Sequence, residues 1–315
     1  MTSIPWGQFF IFFNNLKQKK VKNRKKLPEY MIVLQTYFGK RLEKTFRLKS
    51  AKPGPTIAIT AGVHGIEHCG LKAFADILPT LAIERGEIIF AIGNPRACFK
   101  KIRAASIDLN LNRFGLPDER LTEKQKASYE YARATLMKQI LGEADMHLDI
   151  HSGTALKEAV IICEPNSYFI TRFFPRSFTH EIYGFDAIEQ GAWDGYMLSL
   201  GKPGITIECG FHEDPKGPIY ARAAVASVLA TYGLVSGPRQ SVVRRKYVQM
   251  FMLYHTINDT FTLARNFFSL EKLKRGEIIG HDGQLPVKAP KDCLVVFPHN
   301  CTEKKAEAFL LGREI

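Results

Sequence analysis

The stretch TIAITAGVHGIEHCGLKAFADIL, residues Thr56 to Leu78, reads as a strand that turns directly into a helix. Its opening run, TIAITAGV, is short, apolar and β-branched, as a central strand covered on both faces requires. After Gly65, residues Leu71, Phe74 and Leu78 fall at helical spacing, and Pro79 closes the run. Between the two segments, His64, Glu67 and His68 crowd into five positions. The His-x-x-Glu spacing is a weak signal by itself. With 9 histidines and 31 acidic residues, chance supplies about one such pair in this chain. Two readings stay open at this level: part of a metal site, or a turn histidine followed by an acidic residue that the positive helix end favours.

The same alternation continues outward. Upstream, YMIVLQTYFG and LEKTFRLKS read as strands around a Gly-Lys turn, so residues 29–60 are expected to be β structure, punctuated by KPGP. Downstream, GEIIFAIGNP is a second buried strand, and TEKQKASYEYARATLMKQIL is a helix with Thr122 as its cap. In ADMHLDIHSGT, Met146, Leu148 and Ile150 point one way and His147, Asp149 and His151 the other. PGITIECG is another strand, with Glu208 near its end, and IYARAAVASVLATYGLV is an amphipathic helix closed by Gly233. Strands alternating with helices to about residue 235 define an α/β layered domain. Beyond SGPRQS the texture changes to short β runs with Gly and Pro turns. The expected division is therefore residues 1–238, with a basic N-terminal segment over 1–28, and a small all-β domain over 239–315.

At 315 residues and 45% hydrophobic content, the chain can bury a sizeable core. No apolar run reaches the roughly 18 residues of a membrane span. The apolar patch in MTSIPWGQFFIFFNNLKQKK is followed rather than preceded by charge and lacks a cleavage site, so it is not read as a signal peptide; a surface-binding segment stays open. Six scattered cysteines without a C-x-x-C pair point to reduced thiols in a cytoplasmic protein. The net charge of +13 gathers in Leu16–Lys26 and Arg244–Lys246. Such runs either attract acidic partners or form solvated basic surface. No zinc finger, RNA-recognition signature or Gly-Lys-Ser phosphate loop is present, so no nucleic-acid partner is expected.

Three strands each carry metal-competent residues at their carboxyl ends: His64 with Glu67, His151, and Glu208. Open α/β sheets place ligand sites along that edge. Two imidazoles, one carboxylate and a water form the ligand set of a hydrolytic zinc site. A His-Asp-His face on a buried strand is costly unless paired or metallated. His147 lies nearer the strand's start and reads as a core residue, and His68 reads as structural. Tyr183 and Tyr196 read as core or surface tyrosines, although they fall between His151 and Glu208.

GVHGIE, NPRA, IDLNLNRFG, LDIHSG and TIECG, in that order, resemble the motif set of the succinylglutamate desuccinylase/aspartoacylase family, part of the wider zinc-carboxypeptidase group. The resemblance covers roughly residues 55–235. It implies a three-layer α/β/α sandwich with a mixed central sheet, plus the small C-terminal all-β domain. It also implies one Zn2+ per chain, held by His64, Glu67 and His151. Glu208 matches the general base that takes a proton from zinc-bound water as it attacks an amide carbonyl, then delivers it to the leaving amine. Arg103 resembles the arginine that polarises that carbonyl. Asn112 and Arg113 match the pair that grips a substrate carboxylate. The implied substrate is a small N-acyl amino acid or a peptide-like amide. A metallocarboxypeptidase and a non-catalytic binding protein on the same scaffold are the alternatives, and a homo-oligomer is left open.

Three departures qualify the resemblance. Where the family often has Asp-Leu-Asn-Arg, this chain has Asn110-Leu111-Asn112-Arg113, leaving Asp108 or Asp149 to orient a zinc histidine. No arginine occurs from Gly184 to Glu208, and Leu198 stands where aspartoacylases carry one for their acidic substrate. This weakens an N-acetylaspartate-like substrate in favour of a broader one. The C-terminal region resembles a biotinyl/lipoyl-type sandwich, but Val287-Lys288-Ala289 replaces the attachment motif, so no covalent cofactor is expected.

Overall fold

A computed structural model describes residues 27–106, 109–236 and 241–315. The basic run Leu16–Lys26 and Asp108 lie outside the described residues.

Residues 29–38, expected as a strand, form helix α1 (Glu29–Phe38). Met31, Leu34 and Phe38 are its buried side chains, spaced three and four apart, whereas the β-branched Ile32 is exposed. The periodicity of burial outweighs local β propensity, because one apolar stripe docks on the next helix. The short strand β1 (Phe46–Lys49) leads into β2 (Thr56–Ala61), α2 (Cys69–Ile77) and β3 (Glu87–Ile92). Helix α3 (Pro95–Lys100) starts in the NPRA motif: the Asn94 side chain accepts from the Ala97 N–H, and proline occupies the first turn.

The helical run after Thr122 is two helices. Thr122 and Gln125 form a capping box on α4 (Glu123–Lys126), and Ser128 caps the longer α5 (Tyr129–Glu143). Then follow β4 (Met146–Gly153), β5 (Ala159–Cys163), α6 (Tyr168–Thr171), β6 (Phe178–Tyr183), α7 (Phe185–Ile188), α8 (Trp193–Ser199), β7 (Gly204–Phe211) and α9 (Gly217–Thr231). The described residues from 241 onward hold only strands: β8 (Lys246–His255), β9 (Phe261–Leu263), β10 (Glu271–Leu273), β11 (Ile278–Asp282), β12 (Leu285–Lys288), β13 (Cys293–Val296) and β14 (Glu307–Glu314).

The main sheet is mixed, with eleven strands in the order β1-β3-β2-β4-β7-β5-β6-β8-β14-β13-β10; β12-β11-β9 form a small antiparallel sheet. Strands β3, β2, β4 and β7 run parallel to one another, so their carboxyl ends share one edge. Alternation along β2 and β3 sends Ile57, Ile59, Ile88 and Phe90 into one apolar cluster with α1, α2 and α9. Ala58, Ile89 and Ala91 enter a second cluster with α5 and α8. On β4, Met146, Leu148 and Ile150 join the first cluster, as the sequence alternation predicts. The parallel pairing of β6 with β8 carries the main sheet into the C-terminal region without a break.

All six cysteines are buried and free. Arg245, within the basic Arg244–Lys246 run, donates to the carbonyls of Phe178, Thr171 and Pro175, tying β8 to the segment before β6. No described helix is long and apolar enough to cross a membrane.

Candidate metal centre and its cavity

Beyond Ala61 the chain leaves the sheet at Gly62, whose φ of 67° suits glycine, and turns through His64 and Gly65 into α2. The turn is held by Glu67 N–H donating to His64 O and by Gly65 N–H donating to Arg103 O. Glu67 therefore lies in the turn rather than in the first turn of the helix, which begins at Cys69. The adjacent β4 brings His151 alongside Glu208 of β7, the two being direct partners in the parallel register.

These strand ends converge. His64 Nδ1 lies 2.7 Å from Glu67 Oε1, and His151 Nδ1 lies 2.9 Å from Glu67 Oε2. One ligand atom from each of the three residues falls within 4.8 Å of the others, and all three side chains are buried. The far nitrogen of each ring is already committed. His151 Nε2 bonds Asp149 Oδ2 at 2.8 Å, and His64 Nε2 bonds Asn110 Oδ1 at 2.8 Å. Asn110 Oδ1 also accepts the Asn112 N–H, which identifies that atom as the oxygen. In both rings Nε2 faces an acceptor from behind, which leaves Nδ1, turned toward Glu67, as the nitrogen a metal ion would take.

Burial opposes charge throughout this cluster, yet Glu67 and His151 are held toward their ionised forms. His64 and His151 keep the Glu67 carboxyl well below its usual range despite desolvation. Burial lowers His151, but Asp149 and Glu67 more than reverse this and raise it well above an ordinary histidine. His64 is lowered, chiefly by burial. Two nitrogens and a carboxylate, buried and oriented from behind, could hold a metal ion. The donor set is that of a hydrolytic zinc centre.

The triad opens on a cavity of about 910 Å³, also lined by Arg103, Asn112, Arg113 and Glu208. Glu208 is partly buried, and its Oε2 is buried without a hydrogen-bond partner; desolvation and the Glu67 carboxylate push its pKa up to about 8. Arg103 is more than half exposed, with Nη1 4.0 Å from Glu67 Oε1. Its loop is anchored where Ala105 and Ser106 N–H donate to the buried Glu130 carboxylate, itself bonded by Asn94. Asn112 and Arg113 sit on the same cavity, but both are engaged within the protein. Asn112 Oδ1 accepts the Trp193 N–H at 3.4 Å, and Arg113 forms ion pairs with Glu189 and Glu307.

Sequence reasoning left several polar cavity residues unremarked, among them Ser152, Glu189, Asp194, His212 and Glu307. Asn110 was noted only as a missing aspartate, although it supports His64. His212, four residues past Glu208, meets Ser152 Oγ through Nδ1 at 2.9 Å. Asp149 takes the orienting role for His151. His68 is bound at both nitrogens, by Tyr30 Oη and Gly65 O. Tyr183 donates to Glu181 and Tyr196 packs edge-on against Trp193; neither lines the cavity. Lys288 lies exposed on β12.

A mixed α/β scaffold with a buried His-Glu-His cluster at the carboxyl edge of its parallel strands defines a candidate mononuclear metal centre. Residues 53–230 match the family model of the succinylglutamate desuccinylase/aspartoacylase catalytic domain, so the chain belongs to that family. No curated protein sequence matches the chain significantly. Among solved structures, it resembles a succinylglutamate desuccinylase of Vibrio parahaemolyticus (TM-score 0.69, 17% identity, covering 86% of each chain). It also resembles the product-bound ectoine utilization protein EutE (DoeB) of Ruegeria pomeroyi (0.64, 20%, 85% of this chain and 88% of that one). An aspartoacylase family protein of Mesorhizobium loti gives 0.60 and 21%, covering 86% of this chain and 88% of that one. At these identities the likeness speaks for the fold.

Proposed function

We propose that this protein is a zinc-dependent hydrolase that cleaves the amide bond of an N-acyl amino acid or a related small amide. The observation that carries the reading is the triad itself: His64 and His151 both present Nδ1 to the Glu67 carboxylate, with Nε2 held from behind. In this reading His64, Glu67 and His151 hold one Zn2+. When bound, zinc supplies Lewis acidity, polarising the amide carbonyl and making a water acidic enough to attack at neutral pH.

The remaining chemistry belongs to the chain. Glu208, facing the cavity with a free oxygen, takes the proton of the attacking water when in its ionised form and returns it to the leaving nitrogen. Arg103, exposed at its tip but anchored at its backbone, steadies the negative charge that develops on the carbonyl oxygen. Asn112 and Arg113 line the same pocket. Residues 1–238 form the catalytic domain on a three-layer α/β/α plan, a reading supported by the apolar clusters on the two faces of the sheet. Residues 239–315 form a β domain whose Phe297, Glu307 and Leu310 wall the cavity. Six free thiols fit a cytoplasmic enzyme.

The test is metal analysis joined to turnover of a panel of N-acyl amino acids and of peptides with free C-termini. The purified protein is expected to hold one zinc per chain and to lose activity on chelation. Glu208→Gln is expected to keep zinc while losing turnover by roughly 10³-fold, the scale of general-base catalysis. A protein that neither holds nor responds to zinc overturns the reading, and full turnover in Glu208→Gln removes the general-base role.

A further inference from the structure

We infer that His212 is a second catalytic donor: its Nε2–H meets the acyl carbonyl oxygen of the substrate alongside Arg103 and steadies the charge that develops there. This rests on the amide-hydrolase reading and adds a residue to its machinery.

The end of β7 brings His212 to the site. The parallel register pairs His151 with Glu208 and Gly153 with Phe211, so Ser152 stands opposite two residues, Cys209 and Gly210. This is a β-bulge, with Gly210 at a φ of 79°. Bulges beside active sites bend a strand and re-aim the side chains that follow. The chain turns directly after Phe211, and the turn is pinned. Asp214 N–H donates to Phe211 O at 3.0 Å, and Lys216 N–H donates to Asp214 Oδ1 at 2.8 Å. His212 thus lines the same cavity as the metal triad, Glu208 and Arg103.

Ser152 decides which ring nitrogen carries the proton. The serine is 2% exposed, and its Oγ lies 2.9 Å from His212 Nδ1. The Cys69 thiol also lies beside that hydroxyl, but it donates to His151 O, and sulfur is a weak acceptor. The buried O–H is therefore satisfied by donating to Nδ1, which leaves the ring's own proton on Nε2. Burial lowers the His212 pKa below that of an ordinary histidine, against the pull of Glu67, so the ring is neutral at pH 7. Among the described residues Nε2 has no hydrogen-bond partner. Nor does His212 belong to the His64–Glu67–His151 group, so this nitrogen is left for the substrate. The charges of Glu67, Arg103 and His151 all act on the ring, which sets it beside the triad and the arginine. Arg103 brings its charge from a tip that is more than half exposed. His212 brings a donor held in place through its other nitrogen, and a preset donor is worth most where charge appears in the transition state.

The test uses the zinc-loaded full chain with the N-acetyl derivatives of alanine, leucine, glutamate and lysine. Each is matched with its methylphosphonamidate, whose tetrahedral phosphorus imitates the attacked carbonyl. Two variants separate the ring nitrogens: His212→Asn keeps an amide near Nδ1 for Ser152, and His212→Gln keeps an N–H near Nε2. His212→Asn is expected to hold its zinc and to lose kcat by about a hundredfold at little cost in KM, the scale of one oxyanion donor. Calorimetry is expected to show the phosphonamidates bound more weakly by a similar factor. His212→Gln is expected to recover most of both losses. A purely structural ring predicts the reverse, with Asn ahead of Gln, and that order overturns the assignment. Phosphonamidate binding equal in all three proteins overturns it as well. Weaker phosphonamidate binding in His212→Asn than in His212→Gln, without turnover of any amide, supports the His212 contact and counts against the hydrolase.

Discussion

His147 sits wholly inside the second face of β4, and its protonation state is fixed by a single chain of hydrogen bonds. Thr60 Oγ1 donates to Asp149 Oδ1 at 2.6 Å, so it accepts from His147 Nε2 at 2.7 Å. His147 Nδ1 has no partner, and charging the ring would bury an unsatisfied N–H. Burial accordingly brings its pKa down to about 4. The unfolded state binds a proton that the folded state refuses between about 6.5 and 4. Stability from this residue is therefore full above about 6.5 and is lost as pH falls toward 4, by on the order of 3 kcal/mol. Urea unfolding across this range is expected to show His147→Gln with a shallower pH slope, by about one proton. Identical slopes in variant and native protein would remove this account. Alternation in ADMHLDIHSGT was enough to place His147, Asp149 and His151 on one face, because a strand's period of two is local. Asn110 was not legible in the same way: its partner His64 lies 46 residues away, and only the fold joins them.

At the scale of elements, the turn between β2 and α2 decides how the ligands meet. Gly65 packs directly on α3: a Cβ there would stand 2.1 Å from Ala97 C and 2.4 Å from Cys98 N, both backbone atoms. Gly65→Ala must push α3 and the turn apart, displacing Glu67 from its two histidines and the Arg103 loop with it. A loss of about 1–3 kcal/mol is expected from such overpacking, together with reduced zinc content. Thermal unfolding and metal analysis read the two effects, and unchanged zinc binding in a destabilised variant would detach Gly65 from the site. The turn and the strands around it were readable from apolar runs punctuated by glycine. Helix α1 was not, since Ile32, Val33 and Thr36 raise local β propensity, whereas Met31, Leu34 and Phe38 find their helical face only against α2.

Across the whole molecule, the C-terminal strands do more than append a domain. Val160, Ile162 and Ile182 share one apolar cluster with Val248, Met250, Leu294 and Leu310. Fully burying each such side chain is worth roughly 1.5–3 kcal/mol, and their sum rivals the net stability of a typical domain. A chain ending at residue 238 would bare this face together with the pairing edge of β6. It is expected to be insoluble or partly folded, and the full chain to unfold in a single calorimetric transition. A soluble, cooperatively folded 1–238 fragment would show the two regions to be independent. Glu307, on β14, makes the same point for chemistry, because a residue 194 positions beyond Arg113 completes its ion pair.

The sequence by itself determined the alternating α/β plan and the ordered motifs. Those depend on local period, on turn chemistry and on residue type, each written within a few positions. Tertiary structure alone decided that Asn110 supports His64, that α1 is a helix, and that Arg113 faces Glu189 and Glu307. These are contacts between segments far apart in the chain, and their energy comes from burial and charge pairing that exist only once the sheet has assembled.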